Sequence, residues 1–174
     1  MLPNRTEFVC EELKNALAHG VDDYWLINCS NVKPHAYLLD YIAQLWQTGD
    51  TDPEGHRLAY AQAYYGKANA LTVSKCISGY ADHAVRYGEH PDDHSGDQFY
   101  NHVPRMLISQ FLRDRTQPSE DLQWLCTRPA LSGRAAWCGA KFREAAQSYE
   151  QYLRQCEAAA AIMTGAARTL FQDT

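Results

Sequence analysis

Apolar positions recur every three to four residues along most of the chain, and one short stretch breaks that rule. Phe8, Leu13, Ala16 and Leu17 share a face between the cap candidates Asn4-Arg5-Thr6-Glu7 and Gly20, which predicts a helix over Thr6–His19. Tyr24-Trp25-Leu26-Ile27 is then continuously apolar, bounded by Asp22-Asp23 and by Asn28-Cys29-Ser30-Asn31. Continuous apolarity over so few residues predicts a strand covered on both faces. Helical spacing returns with Leu38, Tyr41, Ile42, Leu45 and Trp46, after Pro34 in the first turn and before Gly49.

Helical periodicity dominates the rest. Asp50-Thr51-Asp52-Pro53 is a turn and cap, followed by predicted helices over Pro53–Tyr65 and Asn69–Tyr87, which stop at Gly66 and Gly88. A polar loop, His90 to Gly96, leads to a helix over Asp97–Arg113, with Pro104 as a kink or as its true start. Ser119–Leu125 reads as a short capped helix. From Leu131 to Phe171 the apolar steps alternate between three and four, as in the seam of one long bundle helix, with Gly139 and Gly165 as possible breaks.

The predicted strand raises a question of pairing. A lone strand leaves its backbone N–H and C=O groups unsatisfied, and no second strand pattern occurs in the chain. Its partners are expected on another polypeptide or on an N-terminal part beyond this sequence. The order helix, strand, turn, helix is that of the closing repeat of a (β/α)8 barrel, where the turn after the strand faces the active site. The fold class expected is therefore mainly α: one β/α repeat at the end of a TIM-type barrel over residues 1–49, then a helical bundle over 50–174.

Composition narrows the function. The formal net charge is −5 with no basic block, so neither nucleic acid nor an anionic membrane is an expected partner. No apolar run approaches the ~18 residues of a membrane span, and the first residues carry no apolar signal-peptide core. Six cysteines without a C-x-x-C pair, several on apolar helix faces, fit buried free thiols in a reducing cytoplasm. No cofactor and no metal site is expected.

Gly20-Val21-Asp22-Asp23-Tyr24-Trp25-Leu26-Ile27-Asn28, followed by Lys33-Pro34, resembles the last barrel repeat of the glycoside hydrolase family 115 α-glucuronidases, which carry a segment of the type G-A-D-R-I-W-I-V-N-V-G-D-L-K-P. Asp52-Pro53-Glu54, leading to Tyr65-Gly66, is similar to the family's D-P-E … F-G segment. The resemblance spans Leu2–Gly66. It implies removal of glucuronic acid or its 4-O-methyl ether from xylan side chains, with inversion, and a helical bundle after the barrel. It also implies that Asn28 takes the place of an active-site asparagine that contacts the sugar. Two positions depart from the family: its G-D is Ser30-Asn31 here, and a commonly acidic position is Ala36. An inverting glycosidase needs two separated carboxylates, which the family draws from earlier barrel strands. These residues alone are not expected to complete a catalytic site.

Asn28, Asn31, Lys33 and His35 form the candidate substrate-binding set. Asn28 can donate to and accept from a sugar hydroxyl or carboxylate, and Lys33 matches a negative uronate. The bland alternative is turn chemistry, with Asn28 and Asn31 satisfying local backbone and Lys33 solvated. His90, Asp92, Asp93 and His94 with Asp97 and His102 have metal-ligand chemistry, but no helical i, i+4 pair is fixed there and Pro91 breaks the regularity, so a solvated acidic loop is the expected reading. Tyr60, Tyr64, Tyr65 and Trp46 offer either sugar-stacking rings or core. Asp82-His83 near Cys76 has the composition of a thiol nucleophile without the ordering group. The competing functional class is a non-catalytic helical module that binds protein, with the strand paired to its twin in a homodimer.

Overall fold

A computed structural model describes residues 4–29, 31–85, 96–113 and 131–173. They form α1 (Thr6–Ala18), a single 3-10 turn (Lys33–His35), α2 (Ala36–Thr48), α3 (Pro53–Tyr65), α4 (Ala70–Asp82), α5 (Gly96–Arg113), α6 (Leu131–Ile162) and α7 (Gly165–Asp173). The fold is mainly α, and among the described residues there is no strand. The chain divides into two units: residues 1–82 with 152–174, and residues 83–151.

The first helices end where their glycines predict. Gly20 (φ +82°) carries the chain off α1, with its N–H bonded to Leu17 and that of Val21 to Ala16. Gly49 (φ +72°) does the same for α2, donating to Leu45 at 2.8 Å. Left-handed backbone costs glycine little, which is why both turns hold one. Asp52 caps α3: its carboxylate accepts from the N–H groups of Glu54 (3.2 Å) and Gly55 (2.9 Å), and Pro53 fills the first helical position. The N-terminus of α1 has no side-chain cap.

Two clusters build the core of the first unit. In one, Cys10 of α1 meets Leu38, Tyr41, Ile42 and Leu45 of α2, with Trp25 and Ile27 packed against them. Tyr41 is wholly buried and its hydroxyl donates to the Thr51 carbonyl at 3.0 Å, so burial leaves no unsatisfied phenol. In the other, Ala61 and Tyr65 of α3, Ala70, Val73 and Cys76 of α4, and Ala159 and Met163 at the end of α6 come together, with Phe171 of α7 beside them.

The predicted strand is the main departure. Residues 21–29 are non-helical and form no ladder among the described residues, because no second strand is there to supply one. Exposure nevertheless alternates with the period of a strand. Tyr24, Leu26 and Asn28 are exposed, while Trp25, Ile27 and Cys29 are half-buried. The segment is thus covered on one face rather than two.

The second unit has its own core of Val85, Phe99, Val103, Leu107, Cys138 and Ala145, flanked by Trp137. Phe99 meets Phe142 and Trp137 with ring centroids 5.3 and 6.0 Å apart. α5 runs through Pro104 without ending there. α4 stops at Asp82, short of the Tyr87 its periodicity suggested, and Val85 is already buried in the second core. The long seam breaks at Gly165 (φ +57°) and continues through Gly139. The predicted helix Ser119–Leu125 lies outside the described residues.

Candidate functional site

The sequence-selected residues part company in three dimensions. Asn28 is exposed, on the same side of its segment as Tyr24 and Leu26, which are 71% and 81% exposed. Asn31 is exposed as well. Lys33 reaches the Asp173 carboxylate of α7 at 3.3 Å, with both side chains largely in solvent. His35 lies two residues on in the same 3-10 turn, where Pro34 sets the backbone, and its ring is turned inward and buried.

His35 faces a cavity of about 580 Å³ in the first unit, within the range of ligand pockets. Six helices and the 3-10 turn contribute. The start of α1 brings Arg5, Thr6 and Glu7; α2 brings Tyr37; α3 brings Arg57, Tyr60 and Tyr65; α4 brings Cys76, Tyr80 and Asp82; α6 brings Tyr152 and Cys156; α7 brings Phe171. Asn28, Asn31 and Lys33 do not line it.

Two ion pairs balance the charge of that wall. Arg5 meets Asp82 at 2.9 Å, and Arg57 meets Glu7 at 3.4 Å. The Arg57 side chain is nearly buried while Glu7 is exposed. The tyrosines stack edge to face: Tyr37 with Tyr60 at 5.3 Å between centroids, and Tyr65 with Phe171 at 6.1 Å. Tyr37 donates to the Pro53 carbonyl at 3.3 Å, and Tyr152 to the Cys76 carbonyl at 2.9 Å.

Burial sets the protonation of the wall. It pushes the Tyr60 hydroxyl up to about 12 and raises Tyr37 and Tyr152 as well. It also pushes the Cys76 thiol up to about 12, with the adjacent Cys156 thiol reinforcing the shift. A thiol so held is protonated at neutral pH, and Asp82 is engaged with Arg5. That arrangement does not supply an activated cysteine nucleophile.

The aromatic candidates divide too. Tyr65 is buried and Tyr60 half-buried on the cavity wall, whereas Tyr64 is 55% exposed. Trp46 packs edge-on against Trp25, centroids 4.6 Å apart, which braces the non-helical segment. His90, Asp92, Asp93 and His94 lie outside the described residues, as do the side chains of Asp97 and His102. No cluster of three or more metal-ligating side chains occurs among the described residues. None of the described helices is long and apolar enough to cross a membrane.

The family model described as glycosyl hydrolase family 115 matches residues 1–90. The chain belongs to glycosyl hydrolase family 115. The match runs beyond Gly66 and takes in all of α4. It therefore includes Asn28 to His35 and every cavity residue contributed by α1 to α4. Tyr152, Cys156 and Phe171 fall outside it. No curated protein and no solved structure matches the chain significantly.

Arg5, Glu7, Tyr37, Arg57 and Tyr152 were not singled out in the sequence as members of one site. They come from four helices and share no motif. The available hint was the i, i+4 spacing of Tyr152 and Cys156, which puts both on one face of α6.

Proposed function

We propose that this family 115 chain closes the catalytic barrel of an inverting α-glucuronidase acting on glucuronic acid, or its 4-O-methyl ether, on xylan side chains. The remaining strands and the acid and base carboxylates come from further polypeptide. The observation that carries this reading is the alternation along Tyr24 to Cys29. Trp25 and Ile27 pack on the helices that would surround a barrel, while Tyr24 and Leu26 are bare on the side that would face its interior. Asn28 shares that side at the segment's C-terminal end, where barrel enzymes bind substrate.

In this reading Asn28 orients the sugar. Its amide donates to a hydroxyl or to the uronate and accepts from another hydroxyl. Asn31 and Lys33 follow at the barrel mouth, with the Lys33 ammonium drawn to the uronate, while the His35 ring, turned into the cavity, stands apart from them. Proton transfer is left to two carboxylates spaced about 6.5–9.5 Å apart, with room for the attacking water. The partner is carbohydrate.

The test is made on the native polypeptide isolated from its source, weighed by intact mass spectrometry and assayed on 4-O-methylglucuronoxylan. A mass well above 19.7 kDa and release of the uronic acid are expected. Asn28→Ala in that polypeptide should lower turnover at least about ten-fold with Tm unchanged. Unaltered turnover would remove Asn28 from the site. An inactive 19.7 kDa dimer joined through Tyr24–Asn28 would establish the helical-module alternative instead.

A further inference from the structure

We infer that Cys76 and Cys156 are the two halves of a reversible disulfide that ties α4 to the C-terminal part of α6 within the first unit. The chain leaves the first unit after Asp82 and re-enters it at Tyr152. Cys76 lies less than two helical turns before that exit, and Cys156 one turn after the return. The Tyr152 hydroxyl donates to the Cys76 carbonyl at 2.9 Å, which docks the α6 turn carrying Cys156 on the α4 turn carrying Cys76. Cys76 is buried in the core cluster against which Cys156 packs.

Access comes from the cavity. Both cysteines line it, and Cys156 is the more exposed of the two. Other thiols are disposed differently: Cys10 is aimed at the Thr51 carbonyl and Cys138 is packed in the second core.

The oxidant is a low-molecular-weight disulfide. The Cys156 thiolate attacks one of its sulfurs, forming a mixed disulfide and expelling one small thiolate. Cys76 then gives its proton to solvent base and attacks the Cys156 sulfur, expelling the second. Two protein S–H groups are oxidised and one small disulfide is reduced to two thiols. Burial of Cys76 makes it the slower partner and assigns the first attack to Cys156. The new bond closes a loop of roughly 80 residues that contains the whole second unit, so its main effect is to restrict the unfolded chain.

The experiment treats the native protein with oxidised glutathione, then maps non-reduced tryptic peptides and records thermal unfolding. A peptide pair joined through Cys76 and Cys156 is expected, with Tm raised by roughly 5–10 °C and both effects reversed by dithiothreitol. Cys76→Ser, nearly isosteric, should hold Cys156 as the glutathione mixed disulfide and show no rise in Tm. The inference falls if wild type also stops at the mixed disulfide, if both thiols stay alkylatable, or if a different cysteine pair is joined. It falls equally if Cys76→Ser shows the same Tm gain.

Discussion

The Tyr24–Asn28 edge and the His35 cavity sit in one unit and are built in opposite ways. The edge is five consecutive residues with one side covered and one bare. The cavity draws its wall from six helices and a turn, and its charged groups are already paired with one another. A contiguous edge keeps its chemistry in the order of the chain. An assembled cavity exists only once α1, α3, α4 and α6 have packed. The edge has surface still to bury, whereas the cavity wall has spent most of its polar valences.

The contrast can be broken by substitution. The largest effect is expected for Tyr65→Ala, which removes a buried ring that packs on Phe171 and holds α3 in the second cluster. Truncating such a ring costs about 3–5 kcal/mol, measurable as a shift in urea midpoint. A cost under about 1 kcal/mol would mean the cavity wall is not part of the core.

Alkaline pH should produce the next effect, with the cavity wall contributing alongside Tyr41, whose hydroxyl burial also raises. Cys76 and Tyr60 are raised to about 12 from ordinary values of 9.0 and 10.0. The folded state therefore keeps protons that the unfolded state gives up. Stability is complete below about pH 9 and is lost as pH rises toward about 12. Denaturation midpoints across that window should fall, and Cys76→Ser with Tyr60→Phe should flatten the slope. A flat wild-type profile would contradict the burial of both groups.

The smallest effect belongs to the edge. Leu26→Ser should change the stability of this chain by no more than about 0.5 kcal/mol, since that side chain is 81% exposed. A loss above about 1.5 kcal/mol in the isolated chain would mean Leu26 is covered by something already present, and the comparison would collapse. The same substitution in a complete barrel should be far more costly.

Much of the first unit was legible before any coordinates. Gly20, Gly49, Asp52-Pro53 and Gly66 mark helix ends because each solves a local backbone problem that depends on a few neighbours. The apolar face of α2 was equally plain, since Leu38, Tyr41, Ile42 and Leu45 repeat at helical spacing. The strand pattern at Tyr24–Ile27 correctly set that segment apart from the helices, and the absence of a second strand pattern anticipated the missing ladder. Periodicity could not say that only one face would be covered, because burial depends on what the rest of the chain brings. Asn28, Asn31 and Lys33 were chosen by their place in a motif, and that place says nothing of Lys33 meeting Asp173 at the far end of the chain. The cavity was hidden for a similar reason: the separation in sequence between Arg5 and Tyr152 is nearly the length of the chain.

The discontinuity of the first unit dictates an order of assembly during synthesis. The cluster around Tyr41 draws its residues from Cys10 to Leu45 and can collapse as soon as that stretch clears the ribosome. The cluster around Tyr65 needs Ala159 and Met163, which emerge only after the whole inserted unit has been made. Until then Ala61, Tyr65, Val73 and Cys76 have no lid, and their apolar surface waits in water. The second cluster carries the greater loop-closure cost and is the slower to form. A nascent chain of this protein therefore passes through a half-cored state, and that state is the one a chaperone would meet.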